Sequence, residues 1–365
     1  MYDYTKQLSG KYDVTTVRVM FELLRAAICS EIPQIEDDIN IDWDQLRRIS
    51  AEQGLLSWVW DGICLLPQER QPPRFQKISW SLSAQEVYER YKRQQNVLKE
   101  LVEVCRLNNM RLMLLKGIGL SKLYPKPESR PSGDIDIYLF DDFEKGNKIF
   151  SSNKDTDLHT DFFYKGVHVE NHMMLVYPNT STKKLVSRYL SERVNHAVKT
   201  SDGYWFLEPQ DNLVYLMMHA LNHVNFGYGT SFLNIRNLTD ITMVIAHYRT
   251  RWNSDEIFLL MRRLHLEKSF ELMVYFSEWL HGIELPEFHK GLIKEDDVSI
   301  IKDLFMKRCL YVPIPTESSF LKRIRLSVTR YCLLRRLYQY IPQHKKSFLL
   351  TSIRQSVSNY QNMFE

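Results

Sequence analysis

The apolar residues of this chain keep a helical spacing almost throughout, and only between about residues 111 and 175 does that spacing fall to two. This one change limits the fold more than any other feature, because a short sheet must then be held between two helical regions. Upstream, residues 17–30, 43–53 and 55–65 read as helices, and a Pro-rich break follows at 67–73. A long helix is expected over 83–108, with Val87, Tyr91, Val97, Leu98, Leu101 and Val104 along one side. Beyond Glu208-Pro209 the helical spacing returns, first over 210–224. Glycine is scarce, 13 in 365 residues, which suits helices. The expected fold is α+β and helix-rich: a small mixed sheet over 83–205, a helical cap over 1–82 and a helical C-terminal domain over 206–365.

Within the sheet segment, Arg111-Leu112-Met113-Leu114-Leu115 reads as a buried strand, and 117–124 as one or two helical turns. Pro125, Pro127 and Pro131 then enforce a loop. Gly133-Asp134-Ile135-Asp136-Ile137 alternates acidic and apolar residues, so both aspartates face one side of a strand. Residues 141–152 look helical, and 160–164 with 167–175 form a hairpin turning at Lys165-Gly166. Two carboxylates on one side of a strand repel each other unless a cation lies between them, and hard divalent cations take oxygen ligands. A third carboxylate would complete a site for two metals about 3.5–4 Å apart, the spacing that serves in-line displacement at phosphorus. Glu170 is the expected third acid, because His168, Glu170 and His172 alternate on one face among Val167, Val169 and Met173. Asp157 and Asp161 are the alternatives, since a slip of one residue would turn Glu170 away. The plainer reading makes the aspartates the solvent face of an amphipathic edge strand.

The run Leu114-Leu115-Lys116-Gly117, then Leu123-Tyr124-Pro125, Arg130 and Asp134-Ile135-Asp136, resembles the poorly characterised bacterial nucleotidyltransferase-like proteins of the polymerase-β-like superfamily. Val167-His168-Val169-Glu170-Asn171-His172 is similar to that family's acid-x-His strand. Leu207-Glu208-Pro209-Gln210-Asp211, His219, His223 and Leu238-Thr239-Asp240-Ile241 match its helical C-terminal part. The resemblance covers roughly residues 83–245. It implies transfer of a nucleoside monophosphate from an NTP to a small molecule, peptide, protein or RNA acceptor, with release of pyrophosphate. Asp134 and Asp136 would hold Mg²⁺ or Mn²⁺, and Glu170 would be a third ligand or the general base for the acceptor hydroxyl. Lys116 and Gly117 stand where the wider superfamily has a Gly-Ser turn that grips the triphosphate, so a lysine would supply charge in place of a hydroxyl. Arg130 would be a phosphate clamp, or else a solvated loop arginine. His172 and His219 would line the nucleotide cleft. A catalytically idle relative that binds nucleotide or a partner is the alternative.

His219 and His223 stand at i and i+4, a zinc-ligand spacing, but Ala220 occupies the position where H-E-x-x-H needs its glutamate. Packing, or a hydrogen bond to Asp240, is the plainer role for this pair. No phosphate loop, dinucleotide fingerprint or nucleophile elbow is present. Cys29, Cys64, Cys105, Cys309 and Cys332 lack metal or disulfide spacing and read as buried thiols of a reducing compartment, the cytoplasm. No apolar stretch is long enough to span a bilayer, and no secretory leader is visible. Nine Lys or Arg and one acid fall between Ser318 and Glu365 in a chain of net charge +4, so the rest is net acidic. A basic amphipathic helix over 321–341 could be a solvated face, and residues 321–346 could hold RNA or another anionic partner.

Overall fold

The computed structural model describes residues 13–154, 158–222, 234–299, 302 and 338–340. Asp157, His223, Cys309, Cys332 and, apart from residues 338–340, the basic stretch 321–346 lie outside the described residues. The N-terminal helices α1 (Val14–Cys29), α2 (Trp43–Glu52) and α3 (Leu56–Cys64) form close to where the apolar spacing puts them. Asp13 and Asp42 cap α1 and α2 by accepting the Thr16 and Gln45 backbone N–H groups. The next helix, α4 (Arg74–Leu107), starts earlier than the expected Ser83, directly after Pro73. Its first turns hide no apolar stripe, because Phe75, Ile78 and Leu82 are exposed, so spacing could not reveal them. The expected border at 82/83 therefore falls inside one continuous helix. At a rise of about 1.5 Å per residue, α4 is roughly 50 Å long.

The sheet orders its strands β3-β4-β5-β2-β1-β7-β6. In chain order they are β1 (Met113–Leu114), β2 (Ile135–Tyr138), β3 (Asn153–Lys154), β4 (His159–Tyr164), β5 (Val167–His172), β6 (Val198–Lys199) and β7 (Trp205–Phe206). The pairs β2–β5 and β1–β7 are parallel and the rest antiparallel, so the sheet is mixed as expected. Helices α5 (Phe143–Phe150) and α6 (Ser181–Arg193) sit in the connections. The β4–β5 hairpin turns on Lys165 at φ 49° and Gly166 at φ 77°, the two left-handed positions that a type I′ turn requires. One sheet face is apolar: Ile135, Ile137, Val167, Val169 and Phe162 pack on Val97, Leu98, Leu101 and Cys105 of α4. Phe150 of α5 stacks on Phe162 with ring centroids 4.7 Å apart.

Helices α7 (Pro209–Asn222), α8 (Ile235–Tyr248), α9 (Ser254–Arg263) and α10 (Glu267–His281) follow. They share one core with the N-terminal helices, in which Met20, Leu23 and Leu24 of α1 are buried with Phe270, Phe276 and Leu280 of α10. Phe21 meets Trp279 edge to face at 5.9 Å. The two terminal helical regions expected from sequence are thus joined through a common interior. Of the described cysteines Cys105 is buried, Cys29 half-buried and Cys64 exposed, so the buried-thiol expectation holds for one of them. Among the described residues, no helix is long and apolar enough to cross a membrane.

Candidate functional site

The face of the sheet opposite α4 is polar, and strand register assembles it. Parallel pairing of β2 and β5 sets Asp136 beside Glu170, with Asp134 one pleat earlier. Antiparallel pairing sets Asp161 of β4 opposite Glu170 and His159 opposite His172. Glu170 therefore shares a face with both aspartates, and Asp161 is its neighbour there. Among the described residues, two groups of three donors draw within 4.8 Å, and each pairs Glu170 with imidazole: Asp134, His168 and Glu170 form one, and His159, Glu170 and His172 the other.

Asp136 has no exposure, yet it stays charged. Lys116 Nζ lies 2.6 Å from its Oδ1 and 3.9 Å from Asp134 Oδ2, while His172 Nε2 lies 3.0 Å from the same Oδ1. Burial pushes the Asp136 carboxyl upward, but Lys116 and then His172 outweigh it and hold it well below the ordinary carboxylate range. Lys116 in turn is held above the ordinary lysine value by Asp136 and Asp134 against the effect of burial. Burial also opposes a charged His172, but hydrogen bonds to Asp136 and to Glu170, at 3.3 Å, hold its pKa at about 9. Asp134 goes the other way, raised by burial and then by its neighbour Asp136.

Two observations bear on whether a divalent cation fits here. Asp136 Oδ2 is buried and makes no hydrogen bond, a costly state for an ionised oxygen unless something else meets it. Gly117 adopts φ 62°, and a Cβ there would sit 2.9 Å from Ser132 Oγ and 3.9 Å from Asp136 Oδ2, so a side chain would crowd this corner. Oxygen donors from Asp134, Asp136 and Glu170 are of the kind a hard cation takes.

Beside the acids opens a polar cleft. Its walls are the turn after β1 with Lys116 and Gly117, the loop from Arg130 to Asp134, and α7 and α8 with His219, Arg236, Asn237 and Asp240. Arg130 is buried, and its Nε and Nη2 donate to the two oxygens of Asp240 at 2.8 and 2.6 Å while Nη1 donates to Pro131 O. The alternative of a solvated loop arginine is corrected accordingly: the guanidinium is buried, meets protein acceptors and lines the cleft. Tyr124 Oη donates to the same Asp240 at 2.6 Å, and its ring stacks on Trp58 at 5.2 Å. His219 lines the cleft, one turn from Tyr215. Tyr215 is buried near the acids, and burial, then Asp136 and Glu170, push its phenol well above its ordinary value.

Arg236 has no counterpart among the residues expected from sequence. It precedes Asp240 by one helical turn, so the two share a face of α8, and that spacing is the signal that could have found it. Burial and then the Arg130 guanidinium press its pKa below the ordinary arginine value, the reverse of what Lys116 experiences. An environment that disfavours this cation would welcome an anion.

A small mixed sheet seating an Asp-x-Asp and a third carboxylate on one face, with helices closing a cleft beside them, is the arrangement the resemblance to nucleotidyltransferases implies. The chain belongs to the family of uncharacterised nucleotidyltransferases, which it matches over residues 40–282. That span runs from just before α2 to the end of α10 and contains every site residue named above. No curated protein and no solved structure matches the chain.

Proposed function

We propose that this protein moves a nucleoside monophosphate from an NTP to a hydroxyl or phosphate group of an acceptor and releases pyrophosphate. Asp134, Asp136 and Glu170 would hold Mg²⁺ or Mn²⁺. The observation that carries this reading is the pairing of Asp136 with Glu170 across β2 and β5, with a buried Asp136 Oδ2 that makes no hydrogen bond. When bound, such a cation would polarise the α-phosphate and lower the pKa of the attacking hydroxyl.

The chain's own residues account for the rest. Lys116 keeps Asp136 ionised, and together with Arg236 it gives the cleft two cations for a triphosphate to meet. Gly117, with no side chain, leaves its backbone open to close approach by phosphate. Glu170 borders the same face, and where it is not a metal ligand it would take the proton of the acceptor hydroxyl. Tyr215, buried near the acids, and His219, in the cleft wall, would limit water there. The chain as a whole would work in the cytoplasm.

Thermal shift with each NTP in the presence and absence of Mg²⁺ or Mn²⁺ tests the reading. A ligand at one hundred times its Kd stabilises the folded state by about 2.7 kcal/mol, a readable change. The wild type should shift with at least one NTP only when metal is present, and Asp136→Asn should not shift. A wild type indifferent to every metal–NTP pair would leave the idle, partner-binding reading in its place.

A further inference from the structure

The polar sheet face continues beyond the expected acids into a second group of donors, and this group is rich in imidazole. His159 Nδ1 lies 4.0 Å from Glu170 Oε2, and His172 Nε2 lies 3.3 Å from the same oxygen. The three ligand atoms all fall within 4.8 Å of one another. Around a first-row metal with bonds of about 2.0–2.2 Å, neighbouring ligand atoms stand roughly 3 Å apart, so this set needs only a modest closing movement. The backbone already provides the alignment, because His159 and His172 are cross-strand partners in β4 and β5, and their rings lie 5.3 Å apart.

What stands behind His159 points the same way. While Nδ1 faces Glu170, its other ring nitrogen, Nε2, lies 3.6 Å from Asp161 Oδ1. A carboxylate behind the far nitrogen is the usual support of a metal-binding imidazole, since it fixes the ring and raises ligand basicity. His168 Nε2 lies 3.7 Å from the same Asp161 oxygen, which adds a further imidazole to the same edge. Two imidazoles and one carboxylate do not suit Mg²⁺, which takes oxygen ligands and keeps much of its water. They suit a borderline transition metal.

We propose that His159, Glu170 and His172 form a transition-metal site for a Zn²⁺-class ion, supported by Asp161 behind His159. It goes beyond the transfer reading, because it stands on donor geometry whether or not a nucleotide is ever bound. The two sites share Glu170 and meet at His172, whose Nε2 also lies 3.0 Å from Asp136 Oδ1, so the ion displaces the proton held there and leaves the Glu170 carboxylate one oxygen fewer for the Asp134–Asp136 side.

The test uses full-length protein stripped with chelator, titrated with Zn²⁺ by calorimetry and with Co²⁺ by its visible ligand-field absorption. Wild type should take up Zn²⁺, and the Co²⁺ spectrum should carry the signature of imidazole ligation. His159→Ala should weaken Zn²⁺ at least about tenfold, the lower end of what loss of even an outer partner costs. The imidazole signature should fade in that variant, while the Mg²⁺-dependent NTP shift persists. His159→Gln is read instead if the alanine variant melts early without metal. Failure of the wild type to bind either ion, or unchanged binding in the folded variant, overturns the site. Intact Zn²⁺ binding with no metal-dependent NTP shift would overturn the transfer reading alone.

Discussion

Lys116 and Arg236 are two of the cations that line the cleft, and their surroundings set opposite expectations for their removal. Lys116 lies against a carboxylate with no exposure, and of the cations in contact with that carboxylate His172 would remain. Breaking a buried pair from one side costs about 3–5 kcal/mol, so Lys116→Met should lose about 3 kcal/mol in urea unfolding without metal. Mn²⁺ should restore much of that loss, because it supplies the missing positive charge. A variant as stable as wild type without metal would show that Lys116 is not the counter-charge. Arg236 is pressed by Arg130 and by burial, so Arg236→Gln should leave metal-free stability within about 0.5 kcal/mol of wild type, or slightly above it. The same change should weaken metal-dependent NTP binding about tenfold or more, the cost of one charge-assisted contact. Equal losses of stability and of binding would mark Arg236 as a packing residue.

At the scale of elements, α8 does most to join the site to the body of the protein. Its Asp240 holds Arg130 and Tyr124, on the segment between β1 and β2, so the loop that leads into Asp134 is fastened to a helix more than one hundred residues away. Asp240→Ala should cost about 3–5 kcal/mol by stranding the Arg130 cation. The double variant Arg130→Met with Asp240→Leu should recover a large part of it, which a double-mutant cycle by urea unfolding would measure. The same turn of α8 meets His281 at the end of α10, where Thr239 and Thr242 hydrogen-bond its two ring nitrogens. Burial presses the pKa of His281 down to about 3, against a hydrogen bond with the Ser277 backbone. The unfolded chain takes up that proton below about pH 6.5 and the folded chain does not, so the contribution is complete above 6.5 and is lost as pH falls toward 3. Between pH 7 and pH 4 this group should cost on the order of 3 kcal/mol, and His281→Leu should flatten that part of a melting-temperature profile.

The same elements show what was legible beforehand. The β4–β5 hairpin could be read because six-residue strands display a period of two and Lys165-Gly166 announces the turn. The shared face of Asp134, Asp136 and Glu170 followed from that period. β6 and β7, at two residues each, are too short to show any period. α6 buries only Thr182, Val186 and Leu190, a stripe too narrow to stand out. The roles of Arg130 and Asp240 were not legible because each is the other's partner across 110 residues, and no local pattern carries such a pairing.

For the molecule as a whole, the decisive feature is that α1 closes against both α3 and α10. Gly62 of α3 lies so near α1 that a Cβ would stand 2.1 Å from Leu23 O, a backbone atom that cannot yield. Gly62→Ala should therefore destabilise by at least about 1–3 kcal/mol. Because one interior joins α1 to α10, far-UV dichroism and tryptophan fluorescence should report a single shared transition of these helices, before and after the change. Separate transitions would mean that the N-terminal helices melt on their own.

That shared interior also governs how the chain leaves the ribosome. Met20 lines the core near one end of the sequence, and Phe270, which faces the same core, is made 250 residues later. At about 5–20 residues per second, α1 waits roughly 10–50 s for its partner. For all that time its apolar side, Val17, Met20, Leu23 and Leu24, has only α2, α3 and transient companions to cover it. Nascent chains stalled between α7 and α10 should accordingly be captured by a holdase chaperone and cut by protease within α1, and both liabilities should vanish once α10 has cleared the exit tunnel.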